Sequence, residues 1–579
     1  MKLPVFAAVG CAATVLVLAG CSGGSAPAAG SSGAAGSSAG AAATASGSPA
    51  ASIAAHYGGT FTMLWNAAGS SIDPAVDYDA NWYILRITND GLLSWKQAAG
   101  PHGNDLVPDL ATAIPAPADG GKTYTFTLRP GIRFSTGAPV QAADVAYALT
   151  REFKVPGPGV SFYSGLVGGQ ACITAPKHCD LSRGIVTSNA ARTVTFHLVA
   201  PNPNFLEDLA LPFAFVVPPG TPNADTGATP LAATGPYMIK SYGPNRQLTL
   251  VRNPYFRQWS AAAQPQGFPS QIVMKIGVAD EDAVTQVENG QADWMYDVPP
   301  ADRLNEIATR FARQIHISST SQLYYMALNT RIPPFSSLQA RQALNFATDR
   351  KAVVQLFGGS RLATPTCQIL PPNFPSYQPN CPYTKNPGTK WSAPDLDRAR
   401  QLVAQSGTKG DKVVIISSPS PPEPAINLYF VSLLNQLGYQ ASIKTLTSSV
   451  EYPYVQDSAN NTQMDVSYWV PDYPAAADFL NVQVGCAGFH PHSSANPNLS
   501  YFCDPAIKAQ TEHALQVQQT NLPAANVLWT GIDKEVTAKA PQVSLFVQND
   551  LAFVSSRVGN FQYSPAADSG FLIDQAWVK

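Results

Sequence analysis

Apolar and polar positions alternate most strictly in Lys122-Thr-Tyr-Thr-Phe-Thr-Leu-Arg129. Tyr124, Phe126 and Leu128 fall on one side and threonines on the other, which predicts a strand with one buried face. Arg192 to Leu198 repeats the pattern and is a fitting sheet partner. Gly59 to Trp65 is a third such strand, with Phe61, Met63 and Trp65 on one face. Pro130-Gly131 and Thr136-Gly137 turn the chain, and Asp144 opens a predicted helix carrying Val145, Leu149 and Phe153 at helical spacing. In the C-terminal half, Asp395 to Gln405 reads as a helix with Leu396, Ala399, Leu402 and Val403 on one side. Val413 to Ile416 is a buried strand, Ala425 to Leu437 a helix stopped by Gly438, and Gln440 to Leu446 a strand again. That strand–helix–strand unit predicts a right-handed crossover within a mostly parallel sheet. In such sheets ligands bind beyond the carboxyl ends of strands.

One strand end stands out chemically. Asp465 to Trp469 reads as a short strand, and Pro471 ends it because proline has no N–H to give to a ladder. Asp472 follows, between Trp469 and Tyr473. A carboxylate among aromatic rings suits an ammonium group: the rings exclude water and turn negative faces to the cation, and the acid supplies the charge. Asp and Pro are also common turn residues, so Asp472 is equally read as stabilising a turn.

The ends of the chain set its compartment. Lys2 precedes an apolar run from Val5 to Leu18, closed by Leu18-Ala19-Gly20-Cys21. That is the layout of a signal peptide over residues 1–20, too short for a stable membrane span. Small residues directly before a cysteine resemble a bacterial lipobox, which implies cleavage before Cys21 and its lipidation. Residues 21–56 continue as Ala, Gly, Ser, Thr and Pro, a composition that buries no core and predicts a tether reaching roughly 30–35 Å. Such a tether resembles those of Gram-positive lipoproteins, with the body held outside the cell membrane. Six cysteines remain in the body, an even number in an exported chain, which suggests disulfides. The sequence neighbours each close a Gly-, Pro- or Asn-rich loop, so the expected pairs are Cys172–Cys179, Cys367–Cys381 and Cys486–Cys503. No Cys-x-x-Cys occurs to favour a zinc site. The formal net charge is −2 with 13% charged residues and no basic stripe, so nucleic acid is not an expected partner.

The run Gly120 to Tyr147 (GGKTYTFTLRPGIRFSTGAPVQAADVAY) resembles the signature of family 5 extracellular solute-binding proteins, the oligopeptide- and dipeptide-binding components of ABC importers. Further similar stretches follow in the family's order: Thr234 to Ile239, Leu248 to Phe256, Asp282 to Asp293, Ala327 to Phe335, Ala340 to Arg350 and Asn498 to Asp504. The resemblance implies an α/β clamshell of the two-lobed, type II periplasmic-binding-protein kind, with an extra subdomain inserted in lobe I. Lobe I would take 57–91, 206–318 and 546–579, the inserted subdomain 92–205, and lobe II 319–545. Two crossings between lobes would permit closure over a ligand.

In peptide-binding members, an aspartate in the motif matching Trp469-Val-Pro-Asp-Tyr473 pairs with the ligand's α-ammonium, and the resemblance gives Asp472 that role. Trp469 and Tyr473 are expected as walls. Trp65 is either core or wall. One ring of the Tyr324-Tyr325 pair, that of Tyr325, is expected inward because alternation turns only one that way. His490-Pro-His492 has no acid or cysteine cluster beside it, so no metal is expected, nor any cofactor. Gly-x-Ser-x-Gly, His-Glu-x-x-His and a phosphate loop are all missing from the sequence beyond the tether, so the expectation is a binding protein and not an enzyme. The expected function is a monomeric lipoprotein that captures a short peptide and hands it to an ABC permease. The alternatives are a non-transport envelope lipoprotein that binds another protein, or a receptor for an oligosaccharide, an opine or a metal chelate.

Overall fold

The computed structural model describes residues 56–579 apart from 79, 80, 156, 301 and 567–569. The predicted signal peptide, Cys21 and all but the last residue of the predicted tether lie outside the described residues.

Among the described residues, eleven strands form the largest sheet. In chain order they are β1 (Thr60–Trp65), β2 (Tyr237–Gly243), β3 (Gln247–Arg252), β4 (Gln271–Ile276), β5 (Trp294–Met295), β6 (Ile315–Leu328), β7 (Ala363–Pro365), β8 (Lys412–Ser417), β9 (Gln440–Thr445), β10 (Met464–Trp469) and β11 (Gln542–Val554). Their spatial order is β9-β8-β10-β6-β11-β5-β1-β4-β3-β2, with β7 added on β11. The β8–helix–β9 unit forms as predicted, with helix Glu423–Leu437 between parallel strands and Gly438 in the left-handed region at its end. The sheet as a whole is mixed rather than mostly parallel. β8 pairs parallel with β9 and β10, and β1 with β4 and β5, but β6 runs antiparallel to both β10 and β11. A strand–helix–strand unit dictates only the direction of its own two strands.

Both faces of the central strands are covered, so alternation does not leave a wet side there. Phe61, Met63 and Trp65 of β1 enter one core, as predicted, while Leu64 enters another. Tyr324 and Tyr325 of β6 are likewise both buried, in cores on opposite faces, where one inward ring was expected. The register of β6 against β11 breaks between Ser319 and Leu323, and again between Tyr324 and Tyr325.

Thr123–Thr127 pairs antiparallel with Thr193–His197, as the patterns predict, and Ile185–Ser188 completes a small separate sheet. Helix Ala142–Glu152 packs on it through Val145 and Leu149. This helix starts ahead of Asp144. The Gln141 side chain caps it, and Asp144 is the acid of a capping box, accepting from the Gln141 N–H at 2.8 Å. The acid of such a box lies three residues inside the helix, which is why it misleads as a start signal.

A buried ion pair ties this helix to the loop after β1. Arg151 donates to both carboxylate oxygens of Asp73, at 2.8 and 2.5 Å, and to the carbonyls of Pro222 and Ala224. The Ala75 and Thr226 N–H groups complete the coordination of Asp73. Burial alone would raise the Asp73 carboxyl, but Arg151 and these N–H groups outweigh it and hold the group below the usual carboxylate range. Disulfides join Cys172 to Cys179, Cys367 to Cys381 and Cys486 to Cys503.

Two stability outcomes follow from these ties. Replacing Arg151 by alanine strands the Asp73 charge and is expected to cost about 3–5 kcal/mol in urea unfolding at neutral pH. Because the folded Asp73 value is depressed, the pair's contribution is present above the pH where an unfolded aspartate ionises. It drains as pH falls through the folded value, so the gap between wild type and Arg151→Ala should narrow in acid. Removing the Cys486–Cys503 bridge by double serine substitution opens a loop of 17 residues and is expected to lower stability by about 3 kcal/mol in the same assay.

Candidate functional site

The site is built on the carboxyl end of β10. Along that strand Asp465, Ser467 and Trp469 share one face, and across the ladder they meet Ala327, Tyr325 and Leu323 of β6. Trp469 is half-buried, and its indole N–H donates to Asp478 Oδ2 at 2.8 Å. Three residues past the strand, Asp472 is half-buried and accepts a hydrogen bond from the Tyr78 hydroxyl. Tyr78 comes from the loop after β1, stacks on Phe213 with ring centres 5.8 Å apart, and meets the edge of Trp82. Tyr473 is buried in the core that holds Trp82, Phe205 and Phe213, and its hydroxyl accepts from Asn204 at 3.1 Å. The loop after β10 therefore reaches out of its own part of the molecule into contact with residues 78–82 and 204–213.

The electrostatics are one-sided. Asp478 and Asp208 are buried, and burial pushes both carboxyls well above the usual range, with the Asp472 charge adding to the rise in each. Glu207, beside Asp208, is pushed up to about 7 by burial. Trp469 and Asn202 each offset part of this by donating a hydrogen bond, to Asp478 and Asp208 respectively. These acids meet at one crossing, framed by tryptophan and tyrosine rings. Asp208, Glu207 and Asp478 are raised by burial, an environment that a cation would relieve and that disfavours an anion.

The structure thus brings Asp472, Trp469 and Tyr473 together. Tyr325 lies on the same sheet face, opposite Ser467, and is buried in a core with Ile416 and Val455. Trp65 is elsewhere, buried in a different core with its ring centre 4.7 Å from that of Tyr296. Among the described residues, no three His, Cys, Asp or Glu side chains are arranged to hold a metal ion. Sequence reasoning missed Tyr78, Asn204, Asp208 and Asp478. Only Asp478 carried a signal, as a second acid just downstream in the same aromatic stretch.

The fold and much of the sequence are shared with known proteins. The family model described as "Bacterial extracellular solute-binding proteins, family 5 Middle" matches residues 105–491. The probable D,D-dipeptide-binding periplasmic protein DdpA of Escherichia coli (strain K12) is 24% identical over 522 residues, covering 87% of this chain and 91% of the relative. The periplasmic oligopeptide-binding protein OppA of the same organism is 21% identical over 478 residues, covering 79% and 82%. Among solved structures, clavulanic acid biosynthesis oligopeptide binding protein 2 matches with a TM-score of 0.79 at 25% identity, over 90% of this chain and 96% of that one. The likeness extends over a two-lobed α/β fold, and the family match covers well over half of the sequence. The chain belongs to family 5 of the bacterial extracellular solute-binding proteins.

Proposed function

We propose that this protein is the lipid-anchored receptor of an ABC importer, and that its solute is a short peptide held by its α-ammonium on Asp472. The observation that carries the reading is the position of Asp472. It stands past the end of β10, beside Trp469 and Tyr473, with Tyr78 reaching it from the far side. Relatives named as dipeptide- and oligopeptide-binding proteins support the same solute class. Capture proceeds by closure of lobe I (57–91, 206–318 and 546–579, with 92–205 inserted) on lobe II (319–545). The register breaks of β6 against β11, between Ser319 and Tyr325, support a hinge at that crossing. Exposed backbone of the strand edges pairs with the peptide main chain, so affinity tolerates varied side chains. Cys21 carries the lipid, and residues after it hold the body off the membrane.

Four outcomes test this. A mixture of di- to tetrapeptides should raise the melting temperature of the purified body, and calorimetry of the best binder with Asp472→Asn should show a loss of about 2–5 kcal/mol. N-acetylation of that peptide should cause a comparable loss on the wild-type protein. No melting shift with any peptide, or an Asp472→Asn protein that binds as the wild type does, would sink the peptide reading. For the anchor, Cys21→Ser should move the protein from the membrane fraction to the medium, read by immunoblot of the two fractions.

A further inference from the structure

The segment from 92 to 205 and the segment from 319 to 545 touch each other directly. The Asn104 side-chain amide donates to the Asn373 carbonyl at 2.9 Å. Gly121 lies so close to the Gln519 side chain that no Cβ would fit between them. Beside these, Asn204 bridges two partners. Its amide N–H donates to the Tyr473 hydroxyl at 3.1 Å, and its side-chain oxygen accepts from the Gln518 amide at 3.1 Å. Asn204 is itself held in place, since its backbone N–H donates to Asn202 Oδ1 at 3.0 Å just before helix Phe205–Asp208.

The bridge continues inward. Gln518 ends helix Pro505–Gln518, and its Oε1 accepts from the indole N–H of Trp529 at 3.1 Å. Trp529 is buried on helix Leu522–Lys539. An indole only donates and a carbonyl only accepts. With Trp529 on its oxygen and the Pro203 carbonyl 3.4 Å from its nitrogen, the Gln518 amide has one orientation. Its N–H therefore meets the Asn204 oxygen, and the Asn204 N–H faces the Tyr473 oxygen. The relay starts at a tryptophan of one segment, passes through Asn204 of the other, and returns to the loop that carries Asp472. These bonds are made by the chain alone, and they form only when the two segments are together. They favour the closed arrangement whether or not a solute is present.

We propose that Asn204 is a positioning residue for capture: a clasp between the inserted subdomain and lobe II that holds the cleft shut over Asp472 and keeps part of the population closed before any solute arrives. This rests on the closure reading above and adds to it the groups that do the closing. The apparent dissociation constant scales inversely with the fraction in the competent form. A clasp of this kind therefore tightens every solute by one factor and leaves selection to the groups that touch the solute.

The test uses the full chain carrying Cys21→Ser, with spin labels on Val186→Cys and Leu428→Cys, exposed positions in the two segments. Their separation is read by pulsed electron resonance. Without peptide, the wild-type background should show a population at the separation of the present structure and a second, open one. Asn204→Ala and Gln518→Ala should each lower the closed-to-open ratio by about tenfold, and the double variant by little more, because both cut the same relay. By calorimetry, Ala-Ala, Ala-Phe and Ala-Ala-Ala should all lose about the same factor on Asn204→Ala. Identical distance distributions in the wild-type background and both variants overturn the clasp, even if the variants melt at lower temperature. A wild-type background wholly open without peptide overturns it as well. A loss that differs several-fold among the three peptides places Asn204 against the solute and has the same consequence. If none of the peptides binds but both variants open, the peptide reading falls and the clasp stands.

Discussion

The long antiparallel pairing of β6 with β11 is the constraint on which the architecture depends. β6 carries β10 on its other edge, and β11 carries β5, so the strands that bear the candidate site and those around β1 belong to one continuous ladder. A ladder transmits position rigidly wherever its register is regular. Here the register slips near the middle of β6, so the two halves are joined by backbone hydrogen bonds and yet interrupted at one place. Tyr78 and Asp472 are far apart in sequence and meet only because of this arrangement.

The chain treats its buried charges in two ways. Where an acid holds the fold together, as Asp73 does, it is matched by a bidentate guanidinium and by backbone donors. Buried arginines are satisfied with equal care. Arg341 donates to the carbonyls of Phe335, Lys539 and Ala540, and Arg350 to those of Ser544 and Asn345. Around β10 the balance is different: Asp478, Asp208 and Asp465 are buried among other acids, and their carboxyls are pushed upward by burial and mutual repulsion. Carboxyls raised in this way hold their protons more tightly, and a positive charge placed beside them would lower them again.

Much of the fold was legible because local signals agree with it. Alternation found Thr123–Thr127 and its partner Thr193–His197, and Gly438 marked the end of the helix between β8 and β9. The family-like run Ala340 to Arg350 also becomes intelligible, since its two arginines anchor helix ends and strand carbonyls. Other features were out of reach for physical reasons. Alternation assumes one wet face, and Tyr324 and Tyr325 sit where helices cover both. The direction of β6 and β11 depends on how the chain crosses between halves, which no local pattern records. Asp472 was found because its strand, its proline and its rings are neighbours in sequence. Tyr78 and Asp208 come from remote segments with no spacing to betray them.

Tyr473 acts as a peg. It is carried by the loop after β10, yet its ring is seated among Trp82, Phe205 and Phe213, and its hydroxyl is held by Asn204. Drawing the loop back uncovers those three rings and leaves the Asn204 amide to find water, with apolar surface exposed at about 25 cal/mol for each Å². The parted state is therefore the stickier one, presenting an oily notch that the seated peg keeps dry.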